Sequence, residues 1–308
     1  MKPLLLEPIP DYTIWGDNHI SKARGYDKNY GTWWEVSAHP YCTNKIRNLE
    51  NTTLQQVIDN DPDNILGHGY TLHEMLRVAY LDAKDALSIQ CHPYDEYALK
   101  TSNDYGKHES WYIVDALPGA TLVAGTKTND KEVIRNAVEN GTLEQYLNYI
   151  PVKKGDYVII PMGMLHALGK GIWAIEVGTN SNTTYRFYDY NRKDANGNGR
   201  PLHLKESFDV TDFNLQPTFV PANNKTHQLG DTPYYIVDEL YLESDTVIET
   251  KDSYFLLSNM GDDAIIMWEN ETIVLPKYDS MFVPYNAKQI TIKQGSHLLY
   301  SRPKKGTL

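Results

Sequence analysis

The run GDYVIIPMGMLH, from Gly155 to His166, decides the architecture. Its Val158, Ile159 and Ile160 form a short β-branched apolar stretch of the kind that suits a buried strand. Pro161 and Gly163 then supply turn chemistry, since proline cannot donate to a ladder and glycine reaches torsions closed to other residues. Working outward, GIWAIEV (Gly171 to Val177) and TTYRFYDY (Thr183 to Tyr190) read as further strands at short spacing. Upstream, LSIQCHP (Leu87 to Pro93) reads as another, and ESWYIVDA (Glu109 to Ala116) and ATLVAGT (Ala120 to Thr126) as a pair joined around Pro118-Gly119. Many short strands with close turns predict a sandwich or barrel rather than a parallel α/β sheet.

Three stretches depart from that pattern, the shortest a helix expected at 94–101, directly after the LSIQCHP strand. Residues 51–80 open with a capping residue, Asn51, and carry Gln55 and Gln56 in the first turns, which predicts helix. Between Asn129 and Tyr149, Val133, Ile134, Ala137, Val138, Leu143 and Leu147 follow a helical period. A segment rich in Pro, Asn and Thr at 214–230 marks a soft boundary. It divides the chain into 1–225, with the helical stretches, and a strand-like 226–308. KGDYVIIPMGMLHA (Lys154 to Ala167) has a weak counterpart in KYDSMFVPYNAKQI (Lys277 to Ile290), where Gln289 stands in the place of His166. Two related β domains are expected, only the first equipped for chemistry.

With 308 residues, the chain has room for about two domains. Its 40 acidic and 29 basic residues leave a net charge of −11, which excludes sequence-independent binding to nucleic acid or to an anionic membrane. Cys42 and Cys91 are too few for a disulfide framework and point to a reducing compartment. The opening MKPLLLEPIP is too short in apolar residues for a signal peptide, and no stretch approaches the roughly 18 needed to span a membrane. A soluble cytoplasmic protein is expected. Composition sets no oligomeric state.

Chemistry concentrates in Gln90, His92, Glu109 and His166. On a strand, residues two apart share a face, so Gln90 and His92 project together. Two imidazoles, a carboxylate and an amide oxygen make an N/O donor set for a borderline divalent ion, and Zn²⁺ suits it. One ion per chain is expected, in the first domain. A set with fewer than four firm ligands keeps a position open for substrate.

The spacing around His166 is similar to the second motif of the cupin barrel: Gly155, five residues, Pro161, one residue, Gly163, two residues, His166. Gln90-x-His92 with Glu109 takes the place of the first motif, with glutamine for the usual first histidine. The wider pattern resembles the type I mannose-6-phosphate isomerases in their short bacterial form. It runs through Leu6-Glu7-Pro8, Trp15-Gly16, WEVSAH (Trp34 to His39), LDAKDALSIQCHP (Leu81 to Pro93) and Gly106-Lys107-His108-Glu109. It continues through IPMGMLHALGKG (Ile160 to Gly171) and Thr183 to Tyr190. The resemblance implies a mainly β fold, a cupin (jelly-roll) barrel with a helical insertion, followed by a smaller metal-free cupin-like β domain. It implies Gln90, His92, Glu109 and His166 as metal ligands and Arg186 as the active-site arginine. Lys107, Trp15 and Arg77 are the candidate substrate contacts, and a sugar phosphate is the implied partner.

Such an enzyme moves a proton between C1 and C2 of a sugar through an enediol, whose charge a metal and a guanidinium stabilise. Here the chain departs from the family at Ala79, where a lysine is usual, with Arg77 as the candidate replacement on the same strand face. It also departs at Gly178, usually glutamine, at Asn182, usually aspartate, and at Tyr94, usually aspartate. These positions surround the substrate rather than the metal. The leading expectation is therefore interconversion of mannose 6-phosphate and fructose 6-phosphate. The alternatives are a paralogous isomerase of another sugar or sugar phosphate, and a non-catalytic sugar-binding cupin.

Overall fold

The computed structural model describes residues 1–47, 49–193 and 197–306. Strands lie where the apolar runs place them, at Ile89–Cys91, Glu109–Ala116, Thr121–Thr126, Tyr157–Ile160, Ile172–Thr179 and Tyr185–Tyr188. Two units form, one from residues 11–32 and 80–222, the other from 1–10, 33–79 and 223–308. This division differs from a single break after 225. The reason is non-local pairing: Leu4 and Leu5 sit opposite Phe282 and Met281, so the N-terminal segment belongs with the last strands.

In the unit built around 80–222, one antiparallel group runs Thr218–Val220, Tyr157–Ile160, Glu109–Ala116, Ile172–Thr179. The other runs Leu147–Pro151, Thr121–Thr126, His166–Ala167, Ile89–Cys91, Tyr185–Tyr188. Period-two alternation turns Trp111, Ile113, Val158 and Ile160 to one face, and they share an apolar core with Leu122 and Ala124. The turn before His166 needs its glycine. Gly163 has φ +80°, and a Cβ there would come within 2.7 Å of the Tyr94 hydroxyl and 2.9 Å of the Val210 carbonyl.

The helix expected through 51–80 is shorter. Leu54–Asn60 is capped by the reciprocal Thr53 and Gln56 bonds, and Pro62–Ile65 follows. Gly67 and Gly69, both at positive φ, end the helical path, and Leu76–Ala83 is a strand of eight buried residues. Of 129–149, Lys131–Glu139 is helix with Asp130 as its cap, and the remainder turns through Leu143–Tyr146 into a strand that starts at Leu147. Two helices were not expected, His19–Ala23 and, later in the chain, Leu204–Val210. Its Phe208 lies against Phe187, ring centroids 4.9 Å apart.

The other unit holds a six-stranded sheet ordered Leu4–Leu5, Ser280–Val283, Phe255–Asn259, His297–Pro303, Tyr235–Tyr241, His227–Asp231. Its four-stranded sheet runs Thr246–Glu249, Gln289–Ile292, Ala264–Trp268, Glu271–Leu275. Phe255, Leu257, Ile266 and Met281 lie in its core. The Ser280–Val283 strand, the Tyr285–Ala287 turn and the Gln289–Ile292 strand repeat the strand-turn-strand plan of 157–167. Gln289 is exposed there and stands opposite Glu249.

Candidate active site

Directly opposed residues of an antiparallel ladder share a face. His166 stands opposite Gln90, and Gln90 opposite Arg186, so three side chains form a row across three strands. His92, two residues beyond Gln90, projects to the same side. Glu109 stands opposite both Ile160 and Gly178, and Trp111 opposite Glu176. The Trp111 ring meets the His166 ring edge-on, centroids 5.6 Å apart.

His92, Glu109 and His166 converge. His92 Nε2 lies 3.2 Å from Glu109 Oε2, His166 Nε2 lies 3.2 Å from Glu109 Oε1, and the two Nε2 atoms are 3.2 Å apart. Each ring donates its Nδ1 proton to a backbone carbonyl, His92 to Thr183 at 3.0 Å and His166 to Met164 at 2.8 Å. A carbonyl only accepts, so in the neutral ring each Nε2 carries a bare lone pair. Burial, then the Lys107 charge, pushes the His92 imidazole down to about 3. The two Nε2 atoms therefore face each other in a buried interior. Glu109 Oε1 is buried with no hydrogen-bond partner among the described residues. Edges of 3.2 Å are close to the roughly 3.3 Å edge of a tetrahedron with bonds of about 2.0–2.1 Å. The donor set fits a divalent ion.

Lys107, itself buried, donates to Glu109 Oε2 and lies 2.9 Å from Glu176 Oε1, while Trp111 Nε1 donates to Glu176 Oε2 at 3.2 Å. Burial works against the Lys107 ammonium, but the two carboxylates outweigh it and raise its pKa. Burial also raises Glu109, yet Lys107 and the two histidines hold it well below the usual carboxylate range. Glu176 moves the other way, raised by burial and by the Glu109 charge.

Arg186 is half-buried. Its Nη1 donates to the Pro201 carbonyl at 2.9 Å, and its buried Nε has no acceptor among the described residues. Burial works against its charge, and Arg200 adds to that. Gln90 sits in the row beside His166, its amide oxygen accepting a long 3.5 Å bond from Ser88. Trp15, expected at the substrate, is a core residue, 6% exposed and grouped with Leu81 and Ala83. Arg77 belongs to the other unit, where its guanidinium lies 3.8 Å from the centre of the Trp34 ring and its Nε donates to Ser37.

Two residues were not singled out from sequence. Glu176 had a legible signal, one carboxylate inside the apolar strand IWAIEV. Asp104 had none. Its Oδ2 accepts from the Asn182 N–H at 2.8 Å, the Thr183 hydroxyl at 2.9 Å and the Ser181 hydroxyl at 3.2 Å. A carboxylate thus faces the segment where Asn182 lacks one.

No family model matches the chain. A mannose-6-phosphate isomerase of Streptococcus mutans is 32% identical over 297 residues, 93% of this chain and 94% of that protein. The crystal structure of the mannose 6-phosphate isomerase from Bacillus subtilis superposes with a TM-score of 0.87 at 27% identity, covering 98% of this chain and 100% of that one. A mannose 6-phosphate isomerase structure bound with zinc and yttrium shares the fold, with a TM-score of 0.73 at 14% identity, over 99% of this chain and 100% of that one. The fold is the mainly β cupin fold of these enzymes. Identity of this degree along nearly all of both sequences assigns the family: the chain belongs to the mannose-6-phosphate isomerases.

Proposed function

We propose that the protein interconverts mannose 6-phosphate and fructose 6-phosphate in a metal-dependent aldose–ketose isomerisation. The observation that carries this reading is the meeting of two bare imidazole nitrogens and an orphaned carboxylate oxygen beside a protonated lysine. Gln90, His92, Glu109 and His166 would hold one Zn²⁺, in keeping with the zinc-bound relative. When bound, the ion supplies Lewis-acid polarisation of the sugar oxygens at C1 and C2. Arg186 brings a charge-bearing Nε with no acceptor among the described residues, suited to the oxyanion that develops as the C2 proton leaves. Lys107, kept protonated between Glu109 and Glu176, acts as a hydrogen-bond donor toward a sugar oxygen and not as a base. Cys42 and Cys91 are free, which supports a reducing, cytoplasmic setting.

A second reading, isomerisation of another sugar phosphate, draws on Gly178. It lies directly across from Glu109 and presents no side chain there.

An assay coupled to fructose 6-phosphate tests the first reading, and a direct ketose assay on other aldose phosphates tests the second. Turnover of mannose 6-phosphate, lost with a chelator and restored by Zn²⁺, is expected. Turnover of a different aldose phosphate alone would replace the first reading with the second, and inertness towards all of them would overturn both.

A further inference from the structure

A second convergence of ligand-type side chains lies in the same unit, among residues that the proposed reaction does not use. One ligand atom each of Asp17, His19 and Asp82 fall within 4.8 Å of one another. His19 Nδ1 is 2.9 Å from Asp82 Oδ1, close to the roughly 3.0 Å edge of an octahedron with bonds near 2.1 Å. Asp82 is 1% exposed and aimed by the backbone. Its Oδ2 accepts from the His19 N–H at 2.6 Å and the Ile20 N–H at 3.3 Å, which turns Oδ1 towards the imidazole. The His19 ring is oriented too, stacked on Trp173 with planes 12° apart and centroids 6.0 Å apart. Asp17 uses Oδ1 to accept the Asn18 N–H at 2.9 Å.

These groups open onto a cavity of about 500 Å³ whose wall also carries Asp85 and Asp115. Two lysines line it as well, Lys84 and Lys170, the latter 3.8 Å from Asp85. Four carboxylates, Asp17, Asp82, Asp85 and Asp115, outnumber the two ammonium groups on this wall, which leaves it a place of negative potential where a cation is favoured.

We propose that Asp17, His19 and Asp82 form a second divalent-cation site, with the open coordination positions facing the cavity. Two carboxylates and one imidazole suit the Mn²⁺ to Zn²⁺ series. The imidazole disfavours Ca²⁺ and Mg²⁺, and the lack of sulfur disfavours Cu(I). Binding displaces the proton from His19 Nδ1, so affinity falls as the pH drops. The ion would clip the His19–Ala23 helix to Asp82. The site stands apart from the isomerase reading and raises the expected stoichiometry from one ion to two.

Metal-stripped full-length protein, titrated calorimetrically with Zn²⁺ and separately with Mn²⁺, tests this alongside His19→Ala, Asp17→Asn and His166→Ala. Two equivalents are expected for the wild type and one each for His19→Ala and His166→Ala. His19→Ala should keep full turnover of mannose 6-phosphate, and Asp17→Asn should weaken the second site tenfold or more. Crystals grown with Zn²⁺ should show an anomalous peak beside His19 Nδ1. A single wild-type equivalent that survives His19→Ala, with no such peak, overturns the proposal. An equivalent lost in His19→Ala while His166→Ala changes nothing would uphold this site and remove the catalytic-metal reading instead.

Discussion

Thr183 fixes His92: its carbonyl accepts the Nδ1 proton at 3.0 Å, and its own hydroxyl donates to Asp104 at 2.9 Å. The tautomer of one candidate ligand is thus set by a carboxylate that never touches the candidate centre. Asp104→Ala frees the 181–183 segment and should weaken catalytic-site Zn²⁺ affinity by about 10–100-fold, the scale of losing an outer-shell partner. Competition with a chromogenic chelator reads this directly. An unchanged affinity would mean that the segment holds itself.

His92→Ala and His166→Ala each remove a nitrogen donor and should abolish Zn²⁺ at the catalytic centre together with turnover. Metal analysis of each purified variant, compared with His19→Ala, identifies which ion is lost.

Arg186→Ala should lower kcat by roughly 10²–10³, the scale of removing one preorganised donor to developing charge, with a much smaller change in KM. Arg186→Lys should rescue only part of it, because one ammonium cannot span two vicinal oxygens as a planar fork does. A raised KM with intact kcat would make Arg186 a phosphate clamp instead.

Lys107 sits between two buried carboxylates, so Lys107→Met leaves Glu109 and Glu176 without their cation. In the metal-stripped protein this should reduce stability by about 3–5 kcal/mol, read from urea midpoints. Lys107→Met combined with Glu176→Gln should recover part of the loss.

Acid stability has an identifiable contributor in Glu74. Burial works against its charge, but His73 and the Thr71 N–H and hydroxyl outweigh this and hold it at about 2, down from 4.5. A carboxyl depressed in the folded state stabilises above its unfolded value, and that stability disappears as the pH falls from about 4.5 to 2. Wild type and Glu74→Gln should therefore differ in urea midpoint at pH 6 and converge near pH 2.

The turn from Pro161 to His166 was legible because proline and glycine act locally and Gly163 is needed for its φ. The ion pair of Lys107 with Glu109 is local in the same way, its partners two residues apart at the entry to one strand. The helix over 51–80 was overread, because a capping signal says where a helix starts and Gly67 and Gly69 decide where it stops. Leu204–Val210 was missed because its burial depends on Phe187, supplied by a strand 17 residues earlier. Asp104 became visible only when folding set it against 181–183. Trp15 shows the converse, since an aromatic in a matching motif serves the apolar core.

The pairing of Leu4 and Leu5 with Phe282 and Met281 also sets an order of events during synthesis. At about 5–20 residues per second, the ribosome needs on the order of 10–60 s to deliver the second strand after the first has emerged. Residues 11–32 and 80–222 can assemble within that interval, because all of their partners have already left the tunnel. The strand that holds Leu4 and Leu5 cannot, because Phe282 and Met281 emerge so much later, and its buried Leu4 waits uncovered. The nascent chain therefore carries a sticky N-terminal flank until residues 280–283 have emerged. It is there, rather than in the catalytic half, that chaperones should bind and that a slowly translated message should aggregate.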